Sequence, residues 1–524
     1  MTLDVIREGL TAPDHLPLVA VALLLASWAL YARTQRIRHL PLPPGPKSDP
    51  LIGHWRALPA SEDYRVYARW GRELNSDIVS ITVFGQVIVV LNSAKAVNEL
   101  LDRRSAIYSN RPELPMINHP DLIDWSKEVS TLQYGERWRS QRRMTHKALD
   151  KDTSMQYGLL ALKQSRLAAQ RISSNPDSFV KEINRMTAST ILSTVYGYEV
   201  TSAHDPLVEI IRVAVEHYCS AAAPGNFLVS IMPWLRHIPD WFPGTGWKHT
   251  VKAWRKERDE MVDGPYDWTK EQIASGIAQH SIVRSLLSEL ENRPINKQDF
   301  AEEEDKIKWV AASLFAAGAD TSAATMVVFI LAMTLNQNVL AKAQAEIDKV
   351  VGQDRLPEME DRESLPYIEC VMKEVLRWQP IAPTAVPHAC TQDDEYNGYF
   401  IPKGAVVMGN AWAINYNELV YHEPEQFNPD RFLDPHVPKP SAFGFGRRSC
   451  PGVHLAESVL FISMATLLAL FSIRPAKDEK GNEITPDVKM EWNGLVSYPA
   501  DFKCSITPRS EKAIQLLDLS TLEA

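Results

Sequence analysis

The segment FGFGRRSCPG, Phe443 to Gly452, sets one cysteine in a glycine-punctuated loop directly ahead of a long apolar run, Val453 to Phe471. Gly444, Gly446 and Gly452 permit backbone angles and close approaches that a Cβ would forbid, so a flat group could lie against the main chain. The apolar run reads as a buried helix, and its N-terminal dipole together with Arg447 and Arg448 favours Cys450 as an anion. A shielded thiolate is a metal ligand. Taken alone, however, a cysteine beside an apolar helix also describes an ordinary small buried hydrophobe, so the loop needs partners elsewhere along the chain.

The 524 residues are 45% hydrophobic and 23% charged, enough for a large core and neither disordered nor low-complexity. No Ser/Gly linker divides them, which favours one large catalytic unit. The net charge of −9, from 56 basic and 65 acidic residues, argues against nucleic acid as a partner. The five cysteines, Cys219, Cys370, Cys390, Cys450 and Cys504, are odd in number and scattered, with no CxxC pair, as expected in a reducing, cytosol-facing environment.

Leu16 to Ala32 is a stretch of 17 residues without formal charge, at the lower limit for a membrane-spanning helix. Arg33, Arg36 and Arg38 follow it, which places the body in the cytosol by the positive-inside rule. Residues 1–38 therefore read as a retained, single-pass membrane anchor, with an interfacial mode left open by Pro17. Residues 39–50, which include PLPPGP, read as a stiff Pro-rich hinge ahead of a catalytic domain over 51–524.

Alternation in DIVSITVFGQVIVVLN, Asp77 to Asn92, predicts a hairpin turning at Phe84, Gly85 and Gln86, and helical spacing covers most of Val97 to Asn338. In YGERWRSQRRMTHKAL, Trp138 and Arg142 are four apart and share a helix face, where an indole N–H and a guanidinium could clamp a carboxylate. Arg137, Arg139, Arg143, Lys147 and Lys151 make the remaining face basic: either a dock for an acidic electron-donor domain or a solvated surface. AAGADTS puts Asp320 and Thr321 on the inner side of a long helix, with Gly318 leaving a turn open to a ligand. KEVLRW sets Glu374 and Arg377 one turn apart before Pro380, and FNPDRF supplies Arg431 downstream. PTAVPHA places His388 after a proline.

The spacing Phe443, Gly446, Arg448, Cys450, Gly452, with these motifs in this order from residue 138 to 452, resembles the cytochrome P450 family. The resemblance covers essentially the whole chain. It implies a mainly α fold with a small β domain, preceded by the anchor helix, and a haem between the helix carrying Thr321 and the loop carrying Cys450. By the same resemblance Cys450 is the axial ligand of the haem iron. Trp138, Arg142, His388 and Arg448 contact the haem propionates, and Phe443, Gly446, Gly452, Ala317 and Gly318 line the cofactor. Asp320 and Thr321 deliver protons during oxygen activation, and Glu374, Arg377 and Arg431 hold the cysteine loop. Asp430 stands where the family usually has Glu.

The implied reaction is monooxygenation: one oxygen atom of O2 enters a lipophilic small molecule by hydroxylation or epoxidation, with electrons from NADPH through a membrane-bound reductase. The texture resembles the fungal microsomal branch of natural-product pathways, such as terpenoid and polyketide biosynthesis, and implies the endoplasmic reticulum membrane as location. Substrate-pocket residues are expected in the stretches 110–130, 217–241, 315–320, 381–386 and 494–498, which are largely apolar. Pro233 to Trp247, rich in aromatics and prolines, is expected to rest on the membrane. Two other readings stay open: a haem-thiolate isomerase or dehydratase that uses no O2, which usually lacks the Asp320–Thr321 pair, and a non-enzymatic haem-binding protein.

Overall fold

The computed structural model describes residues 39–523 apart from positions 60, 203, 224, 231 and 493–495. The expected anchor, residues 1–38, lies outside the described residues. The chain is mainly helical with small sheets. Seven helices carry the argument below: α1 (Glu136–Ala148), α2 (Phe179–Tyr196), α3 (Pro206–Ala222), α4 (Trp247–Ala274), α5 (Lys297–Leu335), α6 (Pro366–Trp378) and α7 (Val453–Leu470).

Helix α5 forms because Asn296 caps it, its side chain accepting from the Asp299 amide, and because an unbroken supply of Ala, Val, Phe and Met follows without Pro. From Ala323 to Thr334 every residue is buried, so the helix is core on all sides there and has almost no amphipathic stripe. Helix α7 is buried from Ser458 to Leu470 in the same way. Both are long and apolar enough to cross a membrane, yet most of each is covered by protein. Burying a single Leu or Phe side chain contributes roughly 1.5–3 kcal/mol, which makes the contact region of α5, α7, α2 and α1 the stabilising centre.

The predicted hairpin is present as β1 (Ile78–Val83) and β2 (Gln86–Leu91), antiparallel, with Val83 opposite Gln86. Its two-residue turn is Phe84–Gly85, both at positive φ (47° and 86°), the mirror-image geometry that matches strand twist. Gln86 therefore belongs to the strand and not to the turn. Strands β3 (His388–Ala389) and β4 (Val406–Gly409) complete this sheet in the order β1-β2-β4-β3, with β2 and β4 parallel, Ile88 opposite Val406. A separate pair, β5 (Met490–Trp492) and β6 (Ser497–Pro499), packs on α5.

Two sequence expectations change. The Pro-rich stretch at 41–46 is no free spacer: the Ser80 amide donates to Pro44 O at 2.9 Å and the Phe400 amide to Pro41 O at 2.8 Å, which pins it both to β1 and to the separate strand pair that carries Phe400. A Cβ on Gly45 would come within 2.0 Å of Ser80 O, so the docking is close. The helical reading of 97–338 fails over residues 109–135, where Pro112, Pro115 and Pro120 remove amide donors and only a short helix, Pro115–Asn118, survives. That stretch is held by side chains instead. Arg111 Nε donates to Ser130 O at 2.7 Å, and the Glu128 carboxylate accepts from the amides of Ser130 and Thr131.

Candidate active site

The cysteine loop closes on itself, the Cys450 amide donating to Phe443 O at 2.7 Å. Gly446 has φ +55°, and a Cβ there would stand 1.9 Å from Leu101 O. Only glycine fits, and the reason is the neighbouring backbone rather than a flat ligand. Gly452 is at φ −89°, and a Cβ there would make only ordinary contacts, 3.9 Å to Cys450 Sγ and to Leu149 Cδ1. Cys450 is accessible to solvent-sized contact although its thiol lies so deep that burial pushes its pKa up. The Gly452 amide and the Arg142 guanidinium oppose that shift by favouring the anion.

This corrects the reading of Arg447 and Arg448 as the cations that favour the thiolate. Arg447 donates to the Tyr134 hydroxyl at 2.5 Å on the outside. Arg448 is buried and spends its guanidinium on three carbonyls: Ser109 O (2.8 Å), Val129 O (3.3 Å) and Leu132 O (2.6 Å). Arg142, one turn along α1 from Trp138, donates to Ser449 O beside the cysteine. The partner of the Trp138 indole is Arg448, whose Cζ lies 4.4 Å from the ring centroid.

His388, in β3, is buried and its Nδ1 lies 2.7 Å from Tyr108 O, so Nδ1 carries the proton. Burial, then the neighbouring Arg111, lowers its pKa to about 3. Arg111 was not singled out by its sequence. It is buried, bonded to Val386 O and Pro387 O at 2.8 and 2.7 Å, and lowered to about 10 by burial. Arg448 is lowered to about 8 by burial and then by Arg111. Glu128 is the one carboxylate acting on both arginines, and it is already engaged by Ser130 and Thr131.

On α5, Thr321 Oγ1 donates to Ala317 O at 2.7 Å, one turn earlier. Ala317 is exposed although Phe315 and Ala319 on either side of it are buried. Gly318 does not open the turn to a ligand. Its missing Cβ would lie 2.7 Å from Ile191 Cδ1, so it serves close packing of α5 on α2. Asp320 is one residue, about 100° of helix, from Thr321. Burial raises the pKa of its carboxyl, and the nearby Tyr498 hydroxyl opposes that shift.

Glu374, Arg377 and Arg431 come together. Arg377 Nε and Nη2 reach Glu374 at 2.7 and 2.8 Å, and Arg431 Nε reaches it at 3.2 Å, with Glu374 and Arg377 fully buried. Arg377 also donates to Asn415 O (3.1 Å), and the Asn415 side chain accepts from the Ser441 amide (2.8 Å), two residues before Phe443. Asp430 is on the surface with Lys342.

Haem fits these residues on three observations: an exposed Cys450 whose thiol burial nevertheless acts on, an exposed Ala317 between the buried Phe315 and Ala319, and a surplus of buried cations (Arg111, Arg448, with Arg142 beside them) suited to the two carboxylates of the group. Among the described residues no cluster of three or more His, Cys, Asp or Glu could hold a free metal ion instead.

Comparison with known proteins agrees. The cytochrome P450 family profile matches residues 43–502. A cytochrome P450 monooxygenase of Armillaria gallica is 40% identical over 509 residues, covering 96% of this chain and 98% of that protein. Cytochrome P450 monooxygenase claR of Ampulloclitocybe clavipes is 37% identical over 521 residues, 97% and 94% of the two chains. In structure, a zebrafish cytochrome P450 with progesterone superposes with a TM-score of 0.71 over 85% of this chain and 99% of that one, at 24% identity. That last likeness speaks to the fold.

Proposed function

The chain belongs to the cytochrome P450 family and is a monooxygenase of the oxidoreductase class; on that premise we propose that it inserts one oxygen atom of O2 into a lipophilic small molecule. The product is an alcohol or an epoxide, formed in fungal secondary metabolism such as terpenoid or polyketide biosynthesis. NADPH supplies the electrons through a reductase. The observation that carries the reading is Cys450: an exposed free cysteine whose thiol burial acts on, in a loop braced by Arg142, with buried cations nearby.

Haem, when bound, supplies the iron chemistry that activates oxygen. The chain's own residues do the rest. Cys450 would hold the haem iron through its thiolate, whose charge the Gly452 amide and Arg142 favour. Arg111, Arg448 and Trp138 form a preorganised wall for carboxylates, fixed by backbone carbonyls. A carboxylate against His388 Nε2 favours the imidazolium, because the opposing effects on that ring are burial and cationic neighbours. Thr321 holds a hydroxyl proton at Oγ1 on the Ala317 face, and Asp320 beside it is an acid whose pKa burial raises.

Location at the endoplasmic reticulum membrane, with the body cytosolic, is supported by Trp234 and Trp241, 60% and 81% exposed, with Phe242 beside them. Such amphipathic rings favour an interface.

The test is co-expression with a reductase and feeding of candidate lipophilic substrates. Substrate-stimulated, O2-dependent NADPH oxidation with an oxygenated product is expected. Product formation without O2 would instead identify an isomerase or dehydratase. Cys450→Ser should abolish the thiolate-type carbon monoxide spectrum of the reduced protein, and its persistence would remove Cys450 as ligand. Thr321→Ala should divert electrons to peroxide; unchanged coupling would take Thr321 out of proton delivery.

A further inference from the structure

The carbonyls of four consecutive residues, Ile107 to Asn110, are all engaged by the walls of the site. Ile107 O accepts from the Thr391 amide at 2.9 Å, and Asn110 O from the Ala389 amide at 2.8 Å. Between them, Tyr108 O lies 2.7 Å from His388 Nδ1, and Ser109 O accepts from Arg448 Nε at 2.8 Å. His388 and Arg448, the two side chains read as carboxylate contacts of the haem, thus take their alignment from adjacent carbonyls of one short strip. Regular structure does not fix that strip. It is the end of a four-residue helical turn, Ser105–Tyr108, followed by the single bridge of Asn110 to Ala389, and a turn so short has little stability of its own.

A side chain fixes it instead. Tyr108 is fully buried, and its hydroxyl donates to Asp394 Oδ2 at 2.9 Å. Burial, ahead of the neighbouring Cys390 and Asp394, raises the phenol's pKa, so it stays a donor. Asp394 is held in turn from outside the site. The same oxygen accepts from Arg104 Nη1 at 2.9 Å, and Arg104 also donates to Glu395 O at 2.7 Å and to Glu99 at 3.1 Å. Asp394 opens a short strand in register with Ile401. Glu99 lies in the π-helical stretch Asn98–Arg103, whose Leu101 carbonyl faces Gly446 of the cysteine loop.

We propose that Tyr108 is a positioning residue for the cofactor: anchored through its hydroxyl to Asp394, it sets the register of residues 107–110 and thereby the alignment of His388 and Arg448 toward the haem carboxylates. The inference rests on the haem reading of that wall and adds to it a tyrosine and an aspartate that act only through their neighbours. Two arguments carry it. A slip of the strip by one residue would withdraw the phenol from Asp394 and re-pair four carbonyls at once, so one charge-assisted bond at the side chain decides four at the backbone. The other side chains of the strip give no comparable reference to a regular element. Ile107 is apolar, the Ser109 hydroxyl returns to Ser105 O at 2.6 Å, and Asn110 Oδ1 accepts from the Tyr134 amide, which lies in the irregular stretch 109–135. Arg111, next along, bonds Val386 O and Pro387 O, which belong to the same wall as His388.

The experiment uses the haem-loaded full chain and Tyr108→Phe, with Tyr198→Phe as the control. Tyr198 makes the same kind of bond, hydroxyl to Asp205 Oδ2 at 2.8 Å, at the junction of α2 and α3, which makes none of the four carbonyl contacts. Tyr108→Phe should release haem to apomyoglobin about tenfold faster than the unsubstituted protein. It should also move the propionate bending band of the resonance Raman spectrum, and Tyr198→Phe should change neither. In the same variant, hydrogen exchange at the amides of Ala389 and Thr391 should quicken. Haem release and a propionate band equal to those of the unsubstituted protein, or equally altered in Tyr198→Phe, overturn the proposal. If the unsubstituted chain takes up no haem, the haem reading fails. Exchange at Ala389 and Thr391 then still decides Tyr108: quickened exchange supports its hold on the strip, and unchanged exchange removes it.

Discussion

Arg448 lies over the face of Trp138, guanidinium carbon to ring centroid 4.4 Å, and so joins the cysteine loop to α1 through one buried stack. The same guanidinium ties down three carbonyls from residues 109, 129 and 132. One side chain thus fixes three segments around the proposed cofactor.

Arg448→Lys keeps the charge but gives up the planar fork. A single ammonium cannot serve the carbonyls of Ser109, Val129 and Leu132 in the same geometry, and each buried acceptor left bare costs about 1–3 kcal/mol. The variant should purify with a several-fold lower haem content. Equal haem-to-protein ratios by pyridine haemochrome assay would contradict this.

Glu374→Gln removes the anion from between Arg377 and Arg431. Breaking a fully buried pair from one side costs about 3–5 kcal/mol, because a charge is left uncompensated. Calorimetry should find a large fall in Tm. A fall comparable to that of the exposed-pair variant Lys342→Gln, whose partner is Asp430, would place the triad outside the stabilising core.

His388 binds its proton less readily folded (about 3) than its ordinary value of 6.5 allows, because burial and Arg111 oppose the charge. The unfolded chain therefore takes up a proton that the folded, haem-free chain refuses. Stability from this residue is complete above about pH 6.5 and is lost as pH falls toward 3. Between pH 6.5 and 5 the loss is at most about 2 kcal/mol. Denaturant unfolding of haem-free His388→Gln should show a correspondingly shallower acid slope; a slope equal to that of the unsubstituted protein would contradict the assignment.

Gly446→Ala should be far more damaging than Gly452→Ala. At 446 a Cβ meets Leu101 O at 1.9 Å from a left-handed backbone, a combination of overpacking and αL strain worth about 2–5 kcal/mol. At 452 its nearest neighbours are 3.9 Å away. Comparable thermal stability of the two variants would refute the contrast.

The sequence announces what is local. Trp138 and Arg142 on one helix, Glu374 and Arg377 one turn apart and the hairpin of residues 77–92 are read from spacing and lie where spacing predicts, the turn being one residue shorter than expected because Gln86 pairs in the strand. What joins distant segments stayed hidden. Arg111 sits in a Pro-rich stretch with no periodicity, and only the folded chain brings it beside His388 and Arg448. Gly318 looks like a site glycine until Ile191 of another helix is seen against it. Tyr498, which lines the same cavity as Asp320, is in a three-residue strand too short to carry a pattern.

The parallel pairing of β2 with β4 also sets a timetable. Leu91 is synthesised 315 residues before Val406, the first residue of β4. At about 5–20 residues per second the hairpin waits roughly 15–60 s with its Val- and Ile-rich edge uncovered. Because β3, which carries His388, pairs with β4 and bridges Asn110 through Ala389, that wall of the site closes only once residues past 388 are made, late in synthesis. Cofactor capture is therefore an event of the nearly finished chain, and the waiting edge is where a chaperone has most to protect.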